Sequence, residues 1–104
     1  MAEVYIVSPM ITHVVLFKMS EPVRENAEAV AGRLRAMEGK VEGLDSIEVG
    51  VDLNRGPRAW DVCLITRHAS AEALAAYQAD SVHGEVKAFI GEVSSGAAVV
   101  DFDS

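Results

Sequence analysis

The sequence predicts an α+β domain, a ferredoxin-like β-α-β-β-α-α-β chain with an antiparallel sheet. Three observations carry this. Short runs rich in β-branched residues alternate with segments of helical period; two such runs follow one another in mid-chain; and 104 residues suit one domain. A single domain is expected over residues 1–104, with its core over 11–103.

The run ITHVVLFKM, residues 11–19, is dense in β-branched and aromatic side chains and reads as the first strand. Ser20-Glu21-Pro22 then starts a helix, with Pro in its first turn. Val23, Ala27, Val30, Leu34, Met37 and Val41 recur at steps of four and three, which carries the expected helix to about Gly39. Gly32 inside it costs about 1 kcal/mol relative to Ala, so a closely packed neighbour is expected there.

In GLDSIEVGV, Ile47, Val49 and Val51 alternate with polar residues or glycine, the period of a strand with one buried face. A turn at Asn54-Arg55-Gly56-Pro57 leads into WDVCLITR, residues 60–67, as the third strand. Ser70, followed by Glu72, Leu74 and Tyr77, begins a second helix. A third helix carries Val82, Val86, Phe89, Ile90 and Val93; Ser94-Ser95-Gly96 breaks it, and AAVVDF supplies the last strand.

Half the residues are hydrophobic and 24% are charged, the balance of a globular chain. Nine basic and sixteen acidic residues give a net charge of -7, which repels phosphate backbones and anionic membranes, so no nucleic acid and no membrane is expected as a partner. Arg55 and Arg58 belong to a solvated loop. The single cysteine, Cys63, cannot form an internal disulfide and reads as an inert buried thiol. MAEVYIVSPM has neither the basic start nor the long apolar run of a signal peptide, and the protein is expected to be cytoplasmic. Met10 is an alternative start, because Ser8-Pro9 closes the first short apolar run.

The first strand is apolar on both sides, Val14 and Leu16 on one and Val15 and Phe17 on the other. The third likewise sets Trp60, Val62 and Leu64 against Cys63 and Ile65. A sheet of this kind buries its second face, and a second copy of the chain is the economical cover, giving a homodimer.

ITHVVLFKM, SIEVGVDLNRGPRAWDVCLI, ALAAYQADSVH and AVVDFD together resemble the stress-responsive dimeric α/β-barrel family, Dabb, over residues 11–103. The resemblance implies a homodimer of ferredoxin-like subunits whose sheets pack together, each with a small cavity between sheet and helices. Members include stress-induced proteins and a plant polyketide cyclase that works without a cofactor. In that cyclase a tyrosine and a histidine transfer protons; by position they match Tyr77 and His83, and a histidine of the first strand matches His13. Two departures stand out. The family's His-Pro-x-His begins here with Asp80 and Ser81, and Asp61 stands where the cyclase has a histidine in its third strand.

In one unbroken helix, residues six apart sit about 120° from each other, so Tyr77 and His83 could not share a pocket. Asp80 and Ser81 supply the needed break, being favoured N-cap residues. His83 then lies in the first turn of a new helix, whose dipole keeps it neutral. It is assigned as general base on an acidic C–H or O–H of a small carbonyl compound, with Tyr77 donating to the developing oxyanion. Ordinary packing competes with this, Tyr77 as a core residue, His83 as a helix-junction cap and His13 as a buried, hydrogen-bonded histidine. His68, after Arg67 at a strand-to-helix turn, is expected to face solvent, and Tyr5 and Trp60 are isolated aromatics.

No metal-ligand spacing, Gly-rich phosphate loop, nucleophile elbow or CxxC occurs, so neither a metal nor a cofactor is expected. Three functions fit the chain: a dimeric Dabb protein with a small-molecule cavity and cofactor-free acid/base catalysis of the cyclase or lyase kind, a non-catalytic stress-response homodimer, or a cofactor-free monooxygenase. A polar, enclosed cavity lined by Tyr77 and His83 distinguishes the first, and a cavity filled by side chains the second.

Overall fold

The computed structural model describes residues 10–104; the first apolar run and Tyr5 lie outside the described residues. The elements follow in the expected order: β1 (Ile11–Met19), α1 (Val23–Arg35), β2 (Ser46–Val51), β3 (Val62–His68), α2 (Ala71–Ala79), α3 (Ser81–Val93) and β4 (Ser94–Asp103). The strands form one antiparallel sheet in the order β2-β3-β1-β4. This is the ferredoxin-like α+β fold.

The period-two alternation of β1 decides what each face of the sheet carries. His13, Val15, Phe17 and Met19 are buried. Their cross-strand partners include Thr66, Leu64 and Val62 of β3 and Asp101, Val99 and Ala97 of β4. Onto this face α1 presents Ala27, Val30, Ala31 and Leu34, and α3 presents Val86 and Ile90. Fully burying a side chain such as Leu34 or Val30 stabilises the fold by roughly 1.5–3 kcal/mol.

On the opposite face Val14 and Leu16 sit beside Cys63, Ile65 and Val100. Val100 is 61% exposed and its near neighbour Phe102 47%. The sheet is therefore apolar on both sides, as its alternation suggests.

Several local expectations are corrected. The helix stops at Arg35, and Met37 and Val41 reach the core from the turns that follow. Gly32 has open space around it; the close approach is at Gly43, where a Cβ would lie 2.1 Å from the Ala73 carbonyl oxygen and φ is +78°. Trp60 does not share a face with Val62 and Leu64 but packs by Lys18 and Gly96. Cys63 is only half-buried, although burial still pushes its thiol up, away from reactivity. Arg55 is half-exposed but not free: it pairs with buried Asp61 at 2.6 Å, and Asp61 also accepts from the Met19 amide at 2.7 Å. No loop separates α3 from β4, because Ser94 and Ser95 are already extended strand.

Candidate active site

The break at Asp80 forms the site. Asp80 leaves the helix with φ -65° and ψ 138°, and one carboxylate oxygen accepts from the amides of Val82 and His83, capping α3. Its other oxygen accepts from the Glu42 amide, fastening the segment before β2 to the helix junction. These donors, Glu42 first, hold the Asp80 carboxyl below its ordinary range. The change of helix direction brings Tyr77 and His83 together, their rings 4.4 Å apart.

Tyr77 is 0% exposed, and burial pushes its hydroxyl up to about 12. Thr66 is near enough to favour the phenolate slightly, yet the Tyr77 hydroxyl has no protein hydrogen-bond partner. His83 Nδ1 is also buried without one. Its ring is held below the ordinary histidine range, first by burial and then by the Lys87 ammonium, against the Gln78 carbonyl and Asp80. The direction is the expected one, but the main causes are burial and Lys87, not the helix terminus alone.

His13 lies on β1 under the helices, its ring 6.2 Å from that of Tyr77, and its Nδ1 pairs with the Asp101 carboxylate of β4. Nothing in the sequence singles out Asp101: Ala97 and Val99, its neighbours on this side of β4, are exposed, and only the pairing of β4 with β1 sets it against His13.

His68 corrects the expectation of a solvent-facing side chain. It is 0% exposed because β3 runs through it, placing it on the buried face with Val62, Leu64 and Thr66. Its Nδ1–H donates to the Gly43 carbonyl at 2.6 Å, so in the neutral ring Nε2 accepts from the Thr66 hydroxyl at 2.8 Å. Burial keeps the ring below its ordinary range. It lies 4.8 Å from Tyr77 and 6.4 Å from His13. All three histidines of the chain thus surround one tyrosine.

Asp61 lies elsewhere. It bonds at the Met19 end of β1, whereas His13 is near the Ile11 end. Among the described residues no three His, Cys, Asp or Glu side chains are arranged to hold a metal ion. Both ring nitrogens of His68 are already engaged.

A cavity of about 420 Å³ opens beside the cluster. His13, Tyr77 and His83 line it, along with Phe17, Leu34, Ile90 and other apolar side chains, while Gln78, Lys87, Ala97 and Val99 are its exposed members. Its size and mixed lining suit a small organic molecule.

The stress responsive A/B barrel domain matches residues 11–104. The chain belongs to this Dabb family. Among solved structures of similar fold is a dimeric protein of unknown function from Bacteroides fragilis, 25% identical, covering 91% of this chain and 96% of its own, with a TM-score of 0.80. A dimeric ferredoxin-like protein of unknown function from Thermobifida fusca is 21% identical, covers 98% and 97%, and has a TM-score of 0.83. The hydroxynitrile lyase of Passiflora edulis shares 12% identity over 93% and 94%, with a TM-score of 0.78. No curated protein matches the sequence significantly. No helix among the described residues is long and apolar enough to cross a membrane.

Proposed function

We propose that this Dabb protein is a single-domain cytoplasmic homodimer that binds a small carbonyl compound and catalyses cofactor-free acid/base chemistry of the cyclase or lyase kind. The observation that carries this is the pairing of Tyr77 and His83 beside the cavity, each with a buried polar atom that no protein group satisfies. Unpaired polar atoms at buried positions cost stability, and a ligand that supplies the missing partners gives them a use.

The protonation states suit the roles. A tyrosine pushed up to about 12 stays protonated near neutrality and can donate to an oxygen that gains charge. A histidine held below its ordinary range is neutral and can accept a proton. In the step envisaged, His83 takes the proton from carbon next to the carbonyl, the C–H electron pair becomes the enolate, and Tyr77 donates a hydrogen bond to its oxygen. The proton on His83 then returns to product. His13, braced by Asp101, is the third group at the polar end.

A protein of the same fold is a hydroxynitrile lyase, so the architecture accommodates lyase catalysis. The open space of about 420 Å³ favours this function over a non-catalytic stress-response dimer, which suits a cavity filled by side chains. The homodimer is supported by the apolar face of Val14, Leu16, Ile65 and Val100 and by relatives described as dimeric.

The test is a thermal-shift screen of small aromatic and β-keto compounds against native protein and His83→Ala. A binder at a hundred times its dissociation constant adds about 2.7 kcal/mol of stability. A shift lost in His83→Ala, followed by turnover of that compound, is the expected result; no shift with any compound would refute the function.

A further inference from the structure

We propose that the ligand is an amphipathic carboxylic acid whose anionic group rests on Lys87 at the cavity mouth, with its apolar body among Phe17, Leu34 and Ile90. This rests on the ligand-binding cavity argued above and names the class of compound it takes.

Among the described residues Lys87 is the only lysine, arginine, aspartate or glutamate in the cavity lining. It stands one helical turn after His83 on α3, so both side chains leave the same face of the helix and meet the same space. Its charge reaches the imidazole, being the second influence on His83 after burial. Among the described residues Lys87 takes part in neither of the two ion pairs, so its ammonium is not committed to a carboxylate of the fold.

The rest of the lining explains why one cation matters. Phe17, Leu34 and Ile90 form an apolar interior that rewards burial of a hydrocarbon or aromatic body. A chain of net charge -7 has no general attraction for anions. Selection of a carboxylate therefore needs a local positive group, and Lys87, exposed beside Gln78, provides it where the anion keeps part of its water. Anchoring the charged end at the mouth orients the molecule inward and leaves a carbonyl along its length to meet Tyr77 and His83.

Isothermal titration with phenylbutyrate and its neutral amide, phenylbutyramide, tests this on native protein, Lys87→Met and Lys87→Arg. Native protein should prefer the acid by about fivefold, the scale of an ion pair in partial contact with water, and added salt should weaken that preference. Lys87→Met should bind both compounds alike, while Lys87→Arg should keep the preference. Equal binding of acid and amide by native protein, or a preference that survives in Lys87→Met, overturns the role of Lys87 and leaves the cavity standing. Failure of both compounds to bind native protein overturns the ligand cavity and the acid together.

Discussion

Replacing Tyr77 by Phe separates a functional tyrosine from a packing one by the sign of the stability change. Tyr77 is fully buried and its ring contacts are those that Phe would keep, so the substitution removes little more than the hydroxyl. A buried hydroxyl with a good partner contributes roughly 1 kcal/mol, and its loss destabilises; a buried hydroxyl with no partner carries a desolvation cost of roughly 1–3 kcal/mol, and its loss stabilises. The Tyr77 oxygen has no protein partner. Tyr77→Phe should therefore raise the unfolding free energy by about 1 kcal/mol, and Tm by about 4–8 °C in a domain of this size. The same change should abolish turnover of any substrate found. Urea denaturation followed by circular dichroism, at one fixed protein concentration because the proposed dimer would add to stability, measures the difference. A loss of about 1 kcal/mol or more would refute the reasoning, for it would mean that Thr66 or a water satisfies the hydroxyl in solution and that no polar atom is held in reserve for a ligand.

Other outcomes follow from the same geometry. His68 and His83 are both held below the ordinary histidine range by burial, while unfolded imidazoles titrate near ~6.5. As pH falls below that value the unfolded chain takes up protons that the fold refuses, so stability is complete above it and is lost toward the lower folded values. Denaturation at about pH 7.5 and about pH 5.5 should show this loss, and His83→Gln should reduce it; a stability that rises on acidification would contradict the burial argument. Gly43→Ala should cost more than about 2 kcal/mol, because a left-handed residue acquires a side chain that meets the Ala73 backbone. Gly32→Ala, at an open position of α1, should stabilise by about 0.5–1 kcal/mol in the same urea assay. On the proposed homodimer the native chain should elute as a dimer, and Val100→Asp, on the sheet face turned away from the helices, should leave a folded monomer by light scattering.

The order of elements was legible because each has a local cause: alternation in β1 and β2, the periodic apolar stripe of α1, and capping by Ser70 and Asp80. Tyr77, His83 and His13 could be singled out by residue type and by family resemblance. What could not be read depends on pairing across the sheet. Asp101 meets His13 only because β4 lies beside β1 in that register, 88 residues along the chain. His68 faces inward because β3 runs one residue past Arg67, and alternation from Val62 through Leu64 and Thr66 assigns it to the buried face. The close approach at Gly43 was missed for a similar reason, since it depends on α2 coming to rest on a turn some thirty residues earlier. Lys87 carries no signal in the sequence, since a lone lysine on a helix is usually a solvated group, and only the cavity beside it gives the charge a neighbourhood.

The gathering of all three histidines around Tyr77 makes the protein its own reporter. In most proteins imidazole resonances come from scattered places and must be sorted before they say anything about a chosen region. Here every imidazole signal in a proton spectrum originates within one cluster, so a change in any of them is a local event by construction. A histidine-directed acylating reagent has nowhere else to react with an imidazole, and its stoichiometry counts groups in this cluster alone. Entry of any small molecule into the cavity can thus be followed spectroscopically in the unlabelled, unmodified chain.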